Sequence, residues 1–156
     1  MPQTAATAFV LADEDQANRF GTALGRGLGP GDTVLLEGPV GAGKSHLARA
    51  AIRAIVGPRT EVPSPTFTLV QTYDGPAAEV WHADLYRLTS ADEVLELGLA
   101  DAMGRAIVLV EWPDRLGALV PPGAIRIALS HQGDARRALV SGAGPALLDR
   151  LREALE

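Results

Sequence analysis

Gly38-Pro39-Val40-Gly41-Ala42-Gly43-Lys44-Ser45 decides how this chain is read. It fits G-x-x-x-x-G-K-[ST], a pattern whose glycines let the backbone turn so that successive N–H groups face inwards. The setting agrees with the letters. The apolar run Val34-Leu35-Leu36 leads in, and a helical pattern over Lys44–Val56 leads out, stopping at Gly57-Pro58. Inward amides and a helix N-terminus together form a nest for an anion. In such a nest Lys44 reaches the β- and γ-phosphates of a nucleotide, and the Ser45 hydroxyl is a magnesium ligand. A chain of this composition shows the pattern by accident about once in a thousand times, so a glycine turn without a ligand is the weaker explanation. Lysine usage points the same way. Of the 14 basic residues only Lys44 is a lysine, and a compact ammonium fits among phosphate oxygens where a planar guanidinium is too wide.

Working outward, the chain alternates strands and helices. A strand is expected over Thr7–Leu11. A helix follows over 13–28, with Asp13 as cap, Gln16 three residues on, and an apolar stripe of Ala17, Phe20, Leu24 and Leu28. After a turn at 29–32 comes a buried strand, Thr33–Glu37, then the glycine loop and its helix. Pro63-Ser64-Pro65 interrupts regular structure. Strands over 68–73 and 78–83 flank an Asp74-Gly75-Pro76 turn. Ser90 caps a helix over 90–98, with Glu93 at the reciprocal position. The wholly apolar stretch 106–110 reads as a central parallel strand. An antiparallel pair over 124–130 and 136–142 and a helix over 145–155 close the chain. With no repeat or linker, this predicts one α/β domain over 1–156. It is a P-loop NTPase-like three-layer sandwich, its sheet mostly parallel with antiparallel strands at one side.

Composition bounds the function. The 156 residues suffice for a real core, and 47% hydrophobic with 21% charged residues is ordinary for a globular chain. No apolar run approaches the roughly 20 residues that span a bilayer, and positions 1–8 lack the basic start of a signal peptide. There is no cysteine, which removes disulfides, thiolate zinc sites and cysteine nucleophiles together. A cytoplasmic protein without membrane contact is expected. The net charge of −5 argues against a chain that holds nucleic acid by itself. Arg49 with Arg53, and Arg136 with Arg137, read as solvated charge.

A P-loop needs a carboxylate across the phosphates to hold magnesium, directly or through water, and such a residue usually ends a neighbouring parallel strand. Glu111 directly follows the 106–110 strand and is the metal candidate; the plain alternative is a surface acid at a strand end. Asp84, in His82-Ala83-Asp84-Leu85-Tyr86-Arg87, could orient or activate water or complete the metal shell, or simply cap a turn. His82 reads equally as a packed strand residue. Thr66, in Ser64-Pro65-Thr66-Phe67-Thr68 about 20 residues past the loop, is placed like a switch threonine that senses a γ-phosphate; a Pro-rich turn is the alternative.

GPVGAGKS, SPTFTLV, HADLYRL and LVEWP, in this order and spacing, closely resemble the TsaE family over nearly the whole chain. The resemblance implies an ATPase of tRNA threonylcarbamoyladenosine biosynthesis, using ATP and Mg²⁺. Its hydrolysis, weak alone, rises with a TsaB–TsaD heterodimer and resets that complex, which modifies the adenosine beside the anticodon. tRNA is then met only through the complex. Carried over by motif, Gly41, Ala42, Gly43, Lys44 and Ser45 bind phosphates, with Gly38 opening the loop and His46 following it. Ser45 and Glu111 hold the metal, Asp84 is the essential acid, and Thr66 is the switch threonine. Glu14 and Gly133 approach the base, and Trp112 of the EW pair reports nucleotide. Two positions depart from the family pattern: Ser45 stands where threonine is frequent but keeps the hydroxyl, and His46 replaces a threonine hydroxyl that would act on the α-phosphate. A small-molecule kinase and a nucleotide-gated binding module of negligible turnover are the rival readings. A kinase needs an acceptor pocket and usually a lid with several arginines; 156 residues leave little room for them, and no arginine-rich lid is evident.

Overall fold

A computed structural model describes residues 6–65 and 68–156. Seven strands form one sheet in the order β1-β7-β6-β2-β5-β4-β3. Strands β1 (Thr7–Leu11), β2 (Thr33–Glu37), β3 (Val70–Asp74), β4 (Glu79–Asp84), β5 (Ile107–Glu111), β6 (Ile125–Gln132) and β7 (Ala135–Ser141) alternate with α1 (Glu14–Gly27), α2 (Lys44–Val56), α3 (Ala91–Glu96), α4 (Leu99–Ala102) and α5 (Pro145–Ala154). A 3-10 segment over Pro113–Leu119 follows β5. The centre β6-β2-β5-β4 is parallel. β7 and β1 form the expected antiparallel side, and the opposite edge carries a further antiparallel strand, β3.

Period-two alternation sorts the strand residues into two cores. Val34, Leu36, Ile107, Leu109, Ile125 and Ile127 pack with Phe20 and Leu24 of α1, Leu47 and Ile52 of α2, and Leu151 of α5. Leu35, Val108 and Val110 face the other way, against Val94 of α3, Leu99 of α4 and Leu116. The sheet is therefore the middle of three layers. The middles of β2 (Val34, Leu35, Leu36) and β5 (Ile107, Val108, Leu109, Val110) are apolar because both of their faces are covered, while buried Thr33 and Glu111 sit at the strand ends.

Local signals behave as the residues require, with three exceptions. Asp13 caps α1 by accepting from the Gln16 amide at 2.9 Å, and Gln16 accepts from the Ala12 amide at 2.8 Å. Ser90 precedes α3 but makes no side-chain cap bond; Glu93 instead accepts from the Thr89 amide at 2.8 Å. The helix expected over 90–98 ends at Glu96, and a second short helix begins after Gly98, whose φ is +81°. Strand β3 starts at Val70, not at 68: Leu69 has a φ of +69°, outside the extended range, although its carbonyl still accepts from the Asp84 amide at 2.9 Å. Among the described residues, no helix is long and apolar enough to cross a membrane.

Candidate nucleotide site

Parallel strands put their carboxyl ends at one edge of the sheet, and the site lies at that edge. Asp84 is the last residue of β4 and is registered to Glu111, the last of β5; Glu111 in turn is registered to Leu36 of β2, just before the glycine loop. Side-chain alternation sends His82, Asp84 and Glu111 to the face that α2 covers, beneath the start of that helix. Three stretches separated by dozens of residues meet because the strand order is β2-β5-β4.

The loop itself has the backbone of an anion nest. Gly43 caps α2 with φ +101° and makes no side-chain cap bond, so the first amides of the helix keep their donors free of an intrahelical acceptor. Gly38 has φ +141°, and a Cβ there would stand 2.4 Å from the Leu129 carbonyl oxygen of β6. Only glycine allows both that turn and that approach. Lys44 is 6% exposed, and its Nζ donates to the Gly38 carbonyl at 2.5 Å and to the Pro39 carbonyl at 3.0 Å. The ammonium also lies 4.1 Å from the centre of the Trp112 ring, which packs on Tyr86 with ring centres 4.9 Å apart. Burial pulls the Lys44 ammonium below its ordinary value, opposed by the negative charges of Glu111 and Asp84. A cation held with this little water favours an incoming polyanion.

The Ser45 hydroxyl donates to Glu111 Oε1 at 2.7 Å. Glu111 Oε2 lies 2.7 Å from His82 Nε2, and both side chains are buried, at 2% and 0% exposure. Asp84, also buried, accepts from the Tyr86 amide at 3.0 Å. Among the described residues no group of three or more His, Cys, Asp or Glu side chains forms a ready cage for a metal. The donor set still suits magnesium. That ion keeps several waters, takes phosphate oxygens, and needs only one or two hard oxygen ligands from protein, which Ser45 and Glu111 provide side by side.

Two cavities flank the start of α2. One, of about 450 Å³, is lined by Lys44, Ser45, Asp84, Glu111, Tyr86 and Trp112. The other, of about 270 Å³, has apolar walls from Leu11, Leu47 and Leu129 and polar groups from Asp13, Glu14, His46, Asp134 and Arg136. Lys44, Ser45, Asp84 and Glu111 are thus brought together, with the loop glycines behind them. Glu14 and His46 line the second cavity. Gly133 turns between β6 and β7 with φ +60°; its neighbour Asp134, not Gly133, lines the cavity. Thr66 lies outside the described residues. Three features escape the sequence. Arg136, expected as solvated charge, donates to the Gly41 carbonyl at 3.4 Å. Arg49, expected likewise, lines the cavity that holds Lys44. Trp112 turns back over Lys44 through a left-handed backbone, φ +56°. No local pattern marks these contacts, although Pro113 directly after Trp112 signals a turn.

A strand, a glycine-rich turn carrying its lysine, and a helix, set at the carboxyl edge of a parallel sheet with a carboxylate on the adjoining strand, define a P-loop nucleotide-binding protein. The family model described as threonylcarbamoyl adenosine biosynthesis protein TsaE matches residues 11–139, and the chain belongs to the TsaE family. A tRNA threonylcarbamoyladenosine biosynthesis protein TsaE of Rickettsia bellii is 38% identical over 128 residues, covering 82% of this chain and 89% of the relative. Its Bacillus subtilis counterpart is 34% identical over 109 residues, 69% of this chain and 67% of the relative. The crystal structure of Bacillus subtilis YdiB superposes with a TM-score of 0.75 over 99% of this chain and 97% of that one; at 21% identity this speaks for the fold. Membership carries an ATP-using role in tRNA modification.

Proposed function

We infer that this chain is a Mg²⁺-dependent ATP hydrolase acting as one domain. It is an accessory to threonylcarbamoylation of the adenosine beside the tRNA anticodon, weak alone and stimulated by a TsaB–TsaD heterodimer that hydrolysis resets. The tRNA is met through that complex. One observation carries the hydrolase reading: the Ser45 hydroxyl and the Glu111 carboxylate stand 2.7 Å apart at the mouth of the phosphate nest.

The residues divide the work. Amides from Gly41 to His46, with Gly38 opening the turn, hold the phosphates, and Lys44 neutralises the β- and γ-oxygens. Ser45 and Glu111 would hold magnesium, which would supply charge neutralisation to the phosphate oxygens. Asp84 orients the attacking water and takes its proton as the new O–P bond forms and the bond to the β-phosphate oxygen breaks, with ADP leaving. Glu14, with the turn at Gly133, borders the base cavity, and Thr66 is the switch that senses the γ-phosphate. The cytoplasm is the compartment in which ATP and these partners are met.

Phosphate release measured without any acceptor tests the reading. Slow, steady, Mg²⁺-dependent hydrolysis, raised by TsaB–TsaD, is the expected result. Release that depends strictly on a small-molecule acceptor would overturn it in favour of a kinase.

A further inference from the structure

We propose that His82 is a positioning residue, whose imidazole fixes the Glu111 carboxylate in the orientation that, with the Ser45 hydroxyl, accepts a divalent cation. The inference rests on the assignment of Ser45 and Glu111 to the metal made above.

His82 Nε2 lies 2.7 Å from Glu111 Oε2, and Ser45 Oγ lies 2.7 Å from Glu111 Oε1. The carboxylate is thus held at both oxygens by donors from two other elements, β4 and α2. Only one of the three side chains stands apart from the opening: Ser45 and Glu111 line the cavity that holds Lys44, and His82 does not. His82 is 0% exposed and lies one alternation step behind Asp84 on the same face of β4. It has no path to a ligand in that cavity except through Glu111.

The ring's other nitrogen sharpens the point. Nδ1 is buried and has no hydrogen-bond partner among the described residues. Leaving a buried polar atom unpaired is destabilising. Packing alone would be served better at this position by an apolar side chain, such as its strand neighbours Val80 and Ala83. What an apolar side chain cannot supply is the bond to Oε2. The Ser45 hydroxyl can donate its proton to Glu111 and still offer a lone pair to a cation. Without His82, Oε2 would be a buried carboxylate oxygen with no donor, and the carboxylate would turn away from Ser45 to find one. Partners that orient a metal-binding group in this way typically carry 10–100-fold in metal affinity.

The test is calorimetric titration of ADP into the full chain, once in EDTA and once across a series of Mg²⁺ concentrations. It compares His82→Leu, His82→Gln and His82→Asn with the parent, thermal melting confirming the fold of each. The expected result is ADP affinity in EDTA within about twofold of the parent for every variant, with the apparent Mg²⁺ affinity about tenfold weaker in His82→Leu. His82→Gln, whose amide nitrogen reaches the place of Nε2, restores it to within about threefold, whereas the shorter His82→Asn does not. Should His82→Leu fail to fold, the contrast between Gln and Asn decides alone. Unchanged Mg²⁺ affinity in a folded Leu or Asn variant overturns the proposal. So does an equal loss of ADP affinity with and without the metal, which is the mark of a purely structural residue. Glu111→Gln separates this inference from its premise. If its Mg²⁺ dependence is normal, the metal assignment itself fails; if only Glu111→Gln loses Mg²⁺ affinity, the metal site stands and His82 has no part in it.

Discussion

Asp84 and Glu111 end adjacent strands in register, yet their partners differ, and so do the consequences of removing them. Glu111 is tied to Ser45, whereas Asp84 faces the same cavity and accepts a backbone amide from Tyr86. Asp84→Ala should therefore leave ADP affinity within a few fold and lower turnover by about 10²–10⁴-fold, the usual span for a positioned acid or base. Unaltered phosphate release would remove its role in the chemistry. Tyr73 offers a residue-scale test of stability. Its hydroxyl is buried without a partner among the described residues, and burial raises the phenol above its ordinary 10.0, with Arg53 opposing. A raised folded value means that the folded state keeps its proton longer than the unfolded chain. The stability linked to that proton is complete below pH 10 and is lost as pH climbs through the folded value. Tyr73→Phe should raise stability at pH 7 by about 1 kcal/mol and flatten the decline above pH 10, both read by urea unfolding.

At the scale of elements, α1 and α2 lie close enough for backbone contact. A Cβ added at Gly25 of α1 would stand 2.3 Å from the Ala51 carbonyl oxygen of α2. Backbone cannot yield as a flexible side chain does, so Gly25→Ala must push the two helices apart. A loss of about 3 kcal/mol is expected by denaturant unfolding, at the upper end of the usual range for overpacking. Gly29→Ala is the control, because a Cβ there meets nothing within 4 Å; it should stay within about 0.5 kcal/mol of the parent. The displacement also reaches the site. α1 begins with Glu14, next to its cap Asp13, and both line the cavity beside His46. Gly25→Ala should therefore weaken ADP binding measurably, and Gly29→Ala should not.

The molecule as a whole gathers its chemistry at the carboxyl edge of the β6-β2-β5-β4 centre, with two apolar layers fixing the strands that carry it. A ligand bound across the start of α2 adds its binding energy to the folded state. At a hundredfold excess over its Kd, ADP with Mg²⁺ should raise the melting temperature by about 5–10 °C for a chain of this size. Lys44→Ala should abolish that rise and ATP binding with it. A full ligand-induced rise in this variant would mean that the nucleotide sits elsewhere.

The glycine turn and helix start from Gly38 to Ser45 were legible because they are properties of local backbone. The buried β2 and β5 were legible for a related reason: the middle of a strand covered on both faces is a run of apolar residues, here Val34 to Leu36 and Ile107 to Val110. Glu111 and Asp84 were half legible, as acids at strand ends whose neighbours were unknown. Their neighbours depend on strand order, which no stretch of sequence states. Tertiary structure alone decided that His82 lies against Glu111, that Trp112 folds back over Lys44, and that Arg136 reaches Gly41 across 95 positions. Contacts of that kind exist only after non-local strand pairing has brought distant side chains within a few ångströms, and a periodicity read along one segment carries no trace of them.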